Sequence, residues 1–226
     1  MNQIYREKWD ESYERYENYM NYPTERIIKF LNHFVRKRIG GDQFSDILLG
    51  IEGGGQALDF GCGVGQNTKL MQEFGLKSFG VDISGEAIET AQNLFPEIGD
   101  RFKIIEENNI PFDDHFFDIS ISAAVLDSMH FQLAQKIVEE LDRVTSKLLF
   151  ASLISGDDSE HYREFSEEII VEQQHEVGTV QSYFNWQKVF ELIAGTGFHV
   201  KWATLVTEES LLDRYKGGRY SVVFSK

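Results

Sequence analysis

Between residues 56 and 154, short apolar runs alternate with helix-like segments, and this alternation limits the fold more than any other feature of the 226-residue chain. Residues 57–60 read as a buried strand and 66–74 as a helix. Residues 77–83 read as the next strand, and 84–94 as a helix with Ser84 as its N-cap. Residues 102–105 and 117–122 are two further strands, 131–145 a helix, and 148–154 a strand. This order builds a parallel sheet with helices on both faces, an α/β, doubly wound fold.

The two ends follow other patterns. Trp9, Tyr13, Tyr16 and Met20 recur at the spacing of one helix face. Pro23 and Thr24 open a second helix, with Ile27, Phe30, Leu31, Phe34 and Val35 as its apolar stripe and Gly40-Gly41 as its end. Residues 185–194 form a helix that Gly195-Thr196-Gly197 breaks. Residues 198–207 and 219–224 are long strands joined by EESLLDRYKGG, a connection without a full crossover helix, which favours an antiparallel pair. One domain across residues 1–226 is expected. It divides into an N-terminal helical cap (1–50), a central core (51–154), a variable lid segment (155–184), and a C-terminal helix with its strand pair (185–226).

Charge narrows the partners. With 37 acids against 22 bases, the net charge is −15. Such a field repels polyanions, so nucleic acid is an unlikely partner. No apolar run reaches the roughly 18 residues of a membrane span, so no membrane partner is expected. The polar start of the chain does not read as a secretory leader, and the lone Cys62 suits a reducing compartment, so a cytoplasmic location is expected. His161 and His175 match no metal-ligand spacing, and no metal is expected. Nothing in the sequence speaks to oligomeric state.

The chemistry-bearing stretch is ALDFGCGVGQNT, residues 57–68. Gly61, Gly63 and Gly65 follow a strand and precede a helix, so the loop lies at the carboxyl edge of the sheet, where open α/β folds bind ligands. Dinucleotide enzymes use G-x-G-x-x-G there. Here Gln66 stands where that pattern wants glycine. Asp59, inside the strand, is a costly neighbour for a pyrophosphate and suits a ligand with a cationic group. An NAD-dependent oxidoreductase is disfavoured on both counts.

ALDFGCGVGQNT resembles the first motif of class I S-adenosylmethionine-dependent methyltransferases. SFGVDISGEAIETA, residues 78–91, resembles that family's second-strand segment, and IIEENNIPFDDHFFDISISAAVLDSMH, residues 104–130, resembles its segment around strand four. The resemblance implies a seven-stranded sheet with an antiparallel last strand, and S-adenosyl-L-methionine as cofactor. It implies that Asp59, Gly61, Cys62, Gly63 and Gly65 cradle the cofactor, and that Asp82, with Ile83 beside it, binds the ribose hydroxyls. Glu106 would face the adenine amino group, with Glu107 and Asn108 along the ring edge. Ala123 would leave room for the methyl group, and Tyr13 of the N-terminal helix would cover the site. Cys62 is expected to pack or to offer its backbone rather than to react.

Asp127 and His130 follow strand four at the mouth of this site. Either could serve as a general base for transfer to oxygen or nitrogen. As structural residues they would merely cap the next helix or lie on the surface. The activity implied is methyl transfer to an O or N atom of a small molecule. A non-catalytic S-adenosylmethionine-binding regulatory module is the alternative. The N-P-P-Y-like tetrad of nucleic-acid methylation is absent; Ser122-Ala123-Ala124-Val125 stands in its place.

Overall fold

A computed structural model describes residues 2–51, 53–106, 109–156, 167–172, 175–212 and 216–226. The central elements follow the expected order: β3 (Gln56–Phe60), α3 (Gln66–Glu73), β4 (Lys77–Asp82), α4 (Gly85–Leu94), β5 (Phe102–Ile104), β6 (Phe117–Ala123), α5 (Phe131–Val144) and β7 (Thr145–Ser155). Ser84 caps α4 by accepting the Ala87 amide. The helix α6 (Trp186–Leu192) leads into β10 (His199–Glu209) and β11 (Lys216–Ser225).

Seven strands form one sheet in the order β10-β11-β7-β6-β3-β4-β5. The five central strands are parallel, while β11 runs antiparallel to both β7 and β10. The chain winds outward from β3 to β4 on one side and returns to β6 on the other. That reversal opens a crevice at the carboxyl ends of β3 and β6, the place where doubly wound sheets bind ligands.

The period-two alternation of strands fills both faces. Along β7, Leu149, Ala151 and Leu153 join one core with Val138, Leu141 and Phe184. Leu148 and Phe150 join the other, under Ile27, Phe30 and Leu31. Asp59 shares a face with Ala57 and so points toward α3.

Three outer segments correct the expectations. The first helix, α1 (Asn2–Glu14), stops before Tyr16, which has a φ of +58° and is 75% exposed. The spacing of Tyr16 and Met20 therefore does not continue a helix. The second, α2 (Glu25–Phe30), runs through a wider turn over Leu31–Val35 and ends there. The following residues form a hairpin of β1 (Arg36–Gly40) and β2 (Gln43–Asp46). Gly41, at a φ of +47°, makes its turn rather than a helix stop. Arg36 holds the hairpin in place through Asp46 at 2.6 Å and the carbonyls of Phe74 and Gly75 at 3.1 Å. Within 155–184, β8 (Glu168–Ile170) pairs with β9 (Val180–Ser182). Most of the acidic run, with His161, lies outside the described residues.

Candidate functional site

The crevice holds a cavity of about 370 Å³, walled by the glycine loop, the end of β6, and residues from both ends of the chain. Its size suits a cofactor or metabolite. The loop is shaped by three left-handed glycines. At Gly63 a Cβ would sit 2.6 Å from the Tyr13 hydroxyl, and at Gly61 2.3 Å from Val125. Close approach, as well as positive φ, therefore requires glycine at both places.

Asp82 fastens this loop. One carboxylate oxygen accepts the Gly63 amide at 2.8 Å and the other the Ser84 amide at 2.9 Å. Burial pushes its pKa up, while those amide hydrogen bonds oppose the rise. Asp82 and Ile83 line the cavity, as do Gly61, Cys62 and Gly63. Gly65 lies behind the lining, where its missing side chain admits Phe102. The Cys62 thiol is buried, and burial pushes its pKa well up, away from the thiolate form.

Asp59 stands one layer deeper. It is 1% exposed, accepts the Thr68 hydroxyl at 2.7 Å through one oxygen, and leaves the other oxygen buried without a partner. Burial lifts its pKa to about 7 against the Thr68 hydrogen bond, and the charge of Asp82 adds to the lift. Such a carboxyl gains from a nearby cation.

The N-terminal helix closes the site from outside. Trp9 and Tyr13 line the cavity. Asp10 accepts a hydrogen bond from the Ser84 hydroxyl at 2.5 Å, and Arg6 donates to the Ile105 carbonyl at 3.1 Å. At the β6 end, Ala123, Ala124 and Val125 form the wall, and Ala124 is held at a φ of +61°.

Other expected residues are not brought together. Glu106 is exposed and forms no part of the cavity wall; its neighbour Ile105 does, because the chain leaving β5 turns alternate residues outward. Glu107 and Asn108 lie outside the described residues. His130 does not line the cavity. Its ring stands at the start of α5, 44% exposed, with Nδ1 bonded to Glu168. Glu168 also accepts the Phe131 amide at 2.6 Å. Burial would raise the pKa of Glu168, but the bonds from His130 and from the Phe131 amide outweigh it and hold the carboxylate lower. This pair fastens β8 to α5, and His130 is not placed to take a proton from an acceptor.

Asp127 does line the cavity, 2% exposed. One oxygen accepts the Ile154 amide at 2.7 Å and the Arg219 guanidinium at 2.8 Å, while the other is buried without a partner. The first oxygen is already engaged by a guanidinium and an amide, an arrangement that suits positioning. Sequence reasoning did not single out Arg219, Ser152 or Arg26, and read Thr24 only as a helix start, though all four lie on the cavity wall. They come from distant elements, and no local pattern marks them.

Residues 58–148 match a family model described as a methyltransferase domain. The match spans β3 to β7 and so includes both the fastened loop and the β6 wall. Over these residues the chain is similar to a methyltransferase domain.

An S-adenosylmethionine-dependent methyltransferase from Methanosarcina mazei superposes with a TM-score of 0.65 at 20% identity, over 77% of this chain and 93% of that one. The magnesium protoporphyrin IX methyltransferase of Synechocystis, solved with bound S-adenosylmethionine, gives a TM-score of 0.58 at 15% identity, over 98% and 96%. In sequence, a sterol 4-C-methyltransferase of Caenorhabditis elegans is 28% identical over 153 residues, 58% of this chain and 45% of that protein. The chain spans less than half the length of the curated relatives it matches. The cavity offers a bare loop and a carboxylate at the end of β4, and behind them lies a buried carboxylate oxygen short of a donor. No described helix of this chain is long and apolar enough to cross a membrane.

Proposed function

We propose that this chain moves a methyl group from S-adenosylmethionine to an oxygen or nitrogen atom of a small molecule. One observation carries the reading: a single cavity joins the Asp82-fastened loop to a second half walled by Met129, Leu133, Ile137 and Ile154. The bound cofactor supplies an electrophilic methyl group, so the protein's task is positioning. Asp82, already aligned by two amides, presents its remaining lone pairs to the ribose hydroxyls. Ala123 and Ala124 keep the passage between the two halves narrow but open. The apolar residues take the body of the acceptor, and Asp127 with Arg219 orients its O–H or N–H. A net charge of −15 argues against a nucleic-acid acceptor.

The second reading, a cofactor-binding module without transfer, rests on the engagement of Asp127 by Arg219 and the Ile154 amide. Calorimetry with S-adenosylhomocysteine on the natural protein and on Asp82→Ala tests cofactor binding. Transfer of labelled methyl to a fractionated metabolite pool then separates the readings. Failure to bind the homocysteine product overturns both. Binding with no labelled product leaves the module.

A further inference from the structure

The wall of the cavity contains a cation that makes no ion pair among the described residues. Arg26, in the first turn of α2, lines the cavity, is partly buried, and has its Nε shut off from solvent without a hydrogen-bond partner. Among the described residues it forms no ion pair. Its neighbour Glu25 is committed to Lys29 at 2.7 Å. In a chain of net charge −15, a cation left this way at a binding cavity asks for an anion from outside.

Thr24 adds a second, independent sign. It occupies the N-cap of α2, where a threonine hydroxyl ordinarily accepts an amide of the first turn. Here it makes no cap bond; its hydroxyl is buried, unpartnered, and belongs to a residue on the same cavity wall. The Thr24 amide donates to the Asn67 side chain at 3.2 Å, and Asn67 also lines the cavity. That bond sets the start of α2 against the start of α3, directly after the glycine loop.

The order of groups along the cavity gives the ligand a direction. Asp82, Ile83 and Ile105 lie on one side of residues 61–64 in the winding of the sheet, at the carboxyl ends of β4 and β5. The corner of Thr24, Arg26 and Asn67 lies beyond the other end of the loop. A nucleoside with its sugar on Asp82 sends its 5′ substituent along the glycines toward that corner. We infer that Arg26 and Thr24 bind the carboxylate at the amino-acid end of the cofactor, with guanidinium and hydroxyl both donating to its oxygens. This rests on the cofactor reading above. A carboxylate on the acceptor is the other source of the same chemistry.

The test compares two ligands that share the adenosine end. S-adenosylhomocysteine carries the amino acid; 5′-methylthioadenosine lacks it. Calorimetry on Arg26→Gln should show the homocysteine ligand weakened about tenfold or more, with methylthioadenosine unchanged. Thr24→Val should lower the same ratio by a smaller factor, and Arg26→Lys should restore part of it. Melting temperatures of the three variants check folding. Equal affinities for both ligands, unchanged from those of the natural protein, would overturn the inference and leave the corner to an acceptor's anion. Loss on both ligands alike would overturn it as well, as a general disturbance. Absence of binding by the unaltered protein would instead defeat the cofactor reading itself.

Discussion

The two halves of the cavity are built by different means. The cofactor half comes from short stretches close in sequence, residues 59–65 and 82–84, and its shape is fixed by backbone: positive-φ glycines and amides pointing at Asp82. The acceptor half gathers side chains from β6, α5, β7 and β11 around the Asp127–Arg219 pair. Backbone geometry tolerates little change, whereas side chains on scattered elements can be exchanged one at a time. The first half therefore suits the proposed cofactor, and the second the proposed acceptor.

If that division is right, substitutions in the two halves separate by measurement. The largest effect is expected at Asp82→Ala: affinity for S-adenosylhomocysteine falls a hundredfold, on the order of two lost charge-assisted hydrogen bonds. A similar loss from Asp127→Asn would break the comparison. Next comes Gly61→Val, whose Cβ would lie 2.3 Å from Val125 at a φ of +71°. It should cost about 2 kcal/mol of stability, read from urea midpoints, together with cofactor affinity.

The buried Asp59 gives a pH signature confined to the cofactor half. Its folded-state pKa is raised from 3.8 to about 7, so between these values the folded chain holds a proton that the unfolded chain has lost. Stability of the ligand-free protein therefore falls as pH rises from about 4 to about 7. Asp59→Asn should flatten that slope, removing roughly 4 kcal/mol of change across the window, measured by denaturant titration at several pH values.

Smaller effects belong to the other half. Asp127→Asn should lower turnover about fivefold while leaving product affinity within about twofold, because the loss falls on acceptor positioning. His130→Ala should leave methyl transfer unchanged and cost under about 1 kcal/mol, the worth of a partly exposed side-chain hydrogen bond. A large drop in turnover from His130→Ala would return that residue to the chemistry.

The same contrast explains what was legible in the sequence. The strands and helices from β3 to β7 were placed within about three residues, since each buries an apolar run whose period matches its structure. Asp59, Asp82 and the three glycines stood out because backbone demands leave few residue choices. The β1–β2 hairpin was hidden: Arg36-Lys37-Arg38 continues the helical pattern before it, and only pairing with β2 makes it extended. α1 was read too long because the spacing of Tyr16 and Met20 continues a stripe that the backbone does not. Glu106 and His130 were placed by order along the chain, and the turn beyond β5 and the pairing with Glu168 carry them away from the cavity. Arg26, Ser152 and Arg219 could not be foreseen, because their meeting depends on the finished fold.

The placement of Trp9 on the cavity wall has a practical consequence. The chain has three tryptophans; the other two, Trp186 and Trp202, sit on the outer surface, 41% and 38% exposed. One indole in three thus changes its surroundings when the crevice fills. Intrinsic emission, followed without any attached dye, would track occupancy in real time against a constant background from the other two.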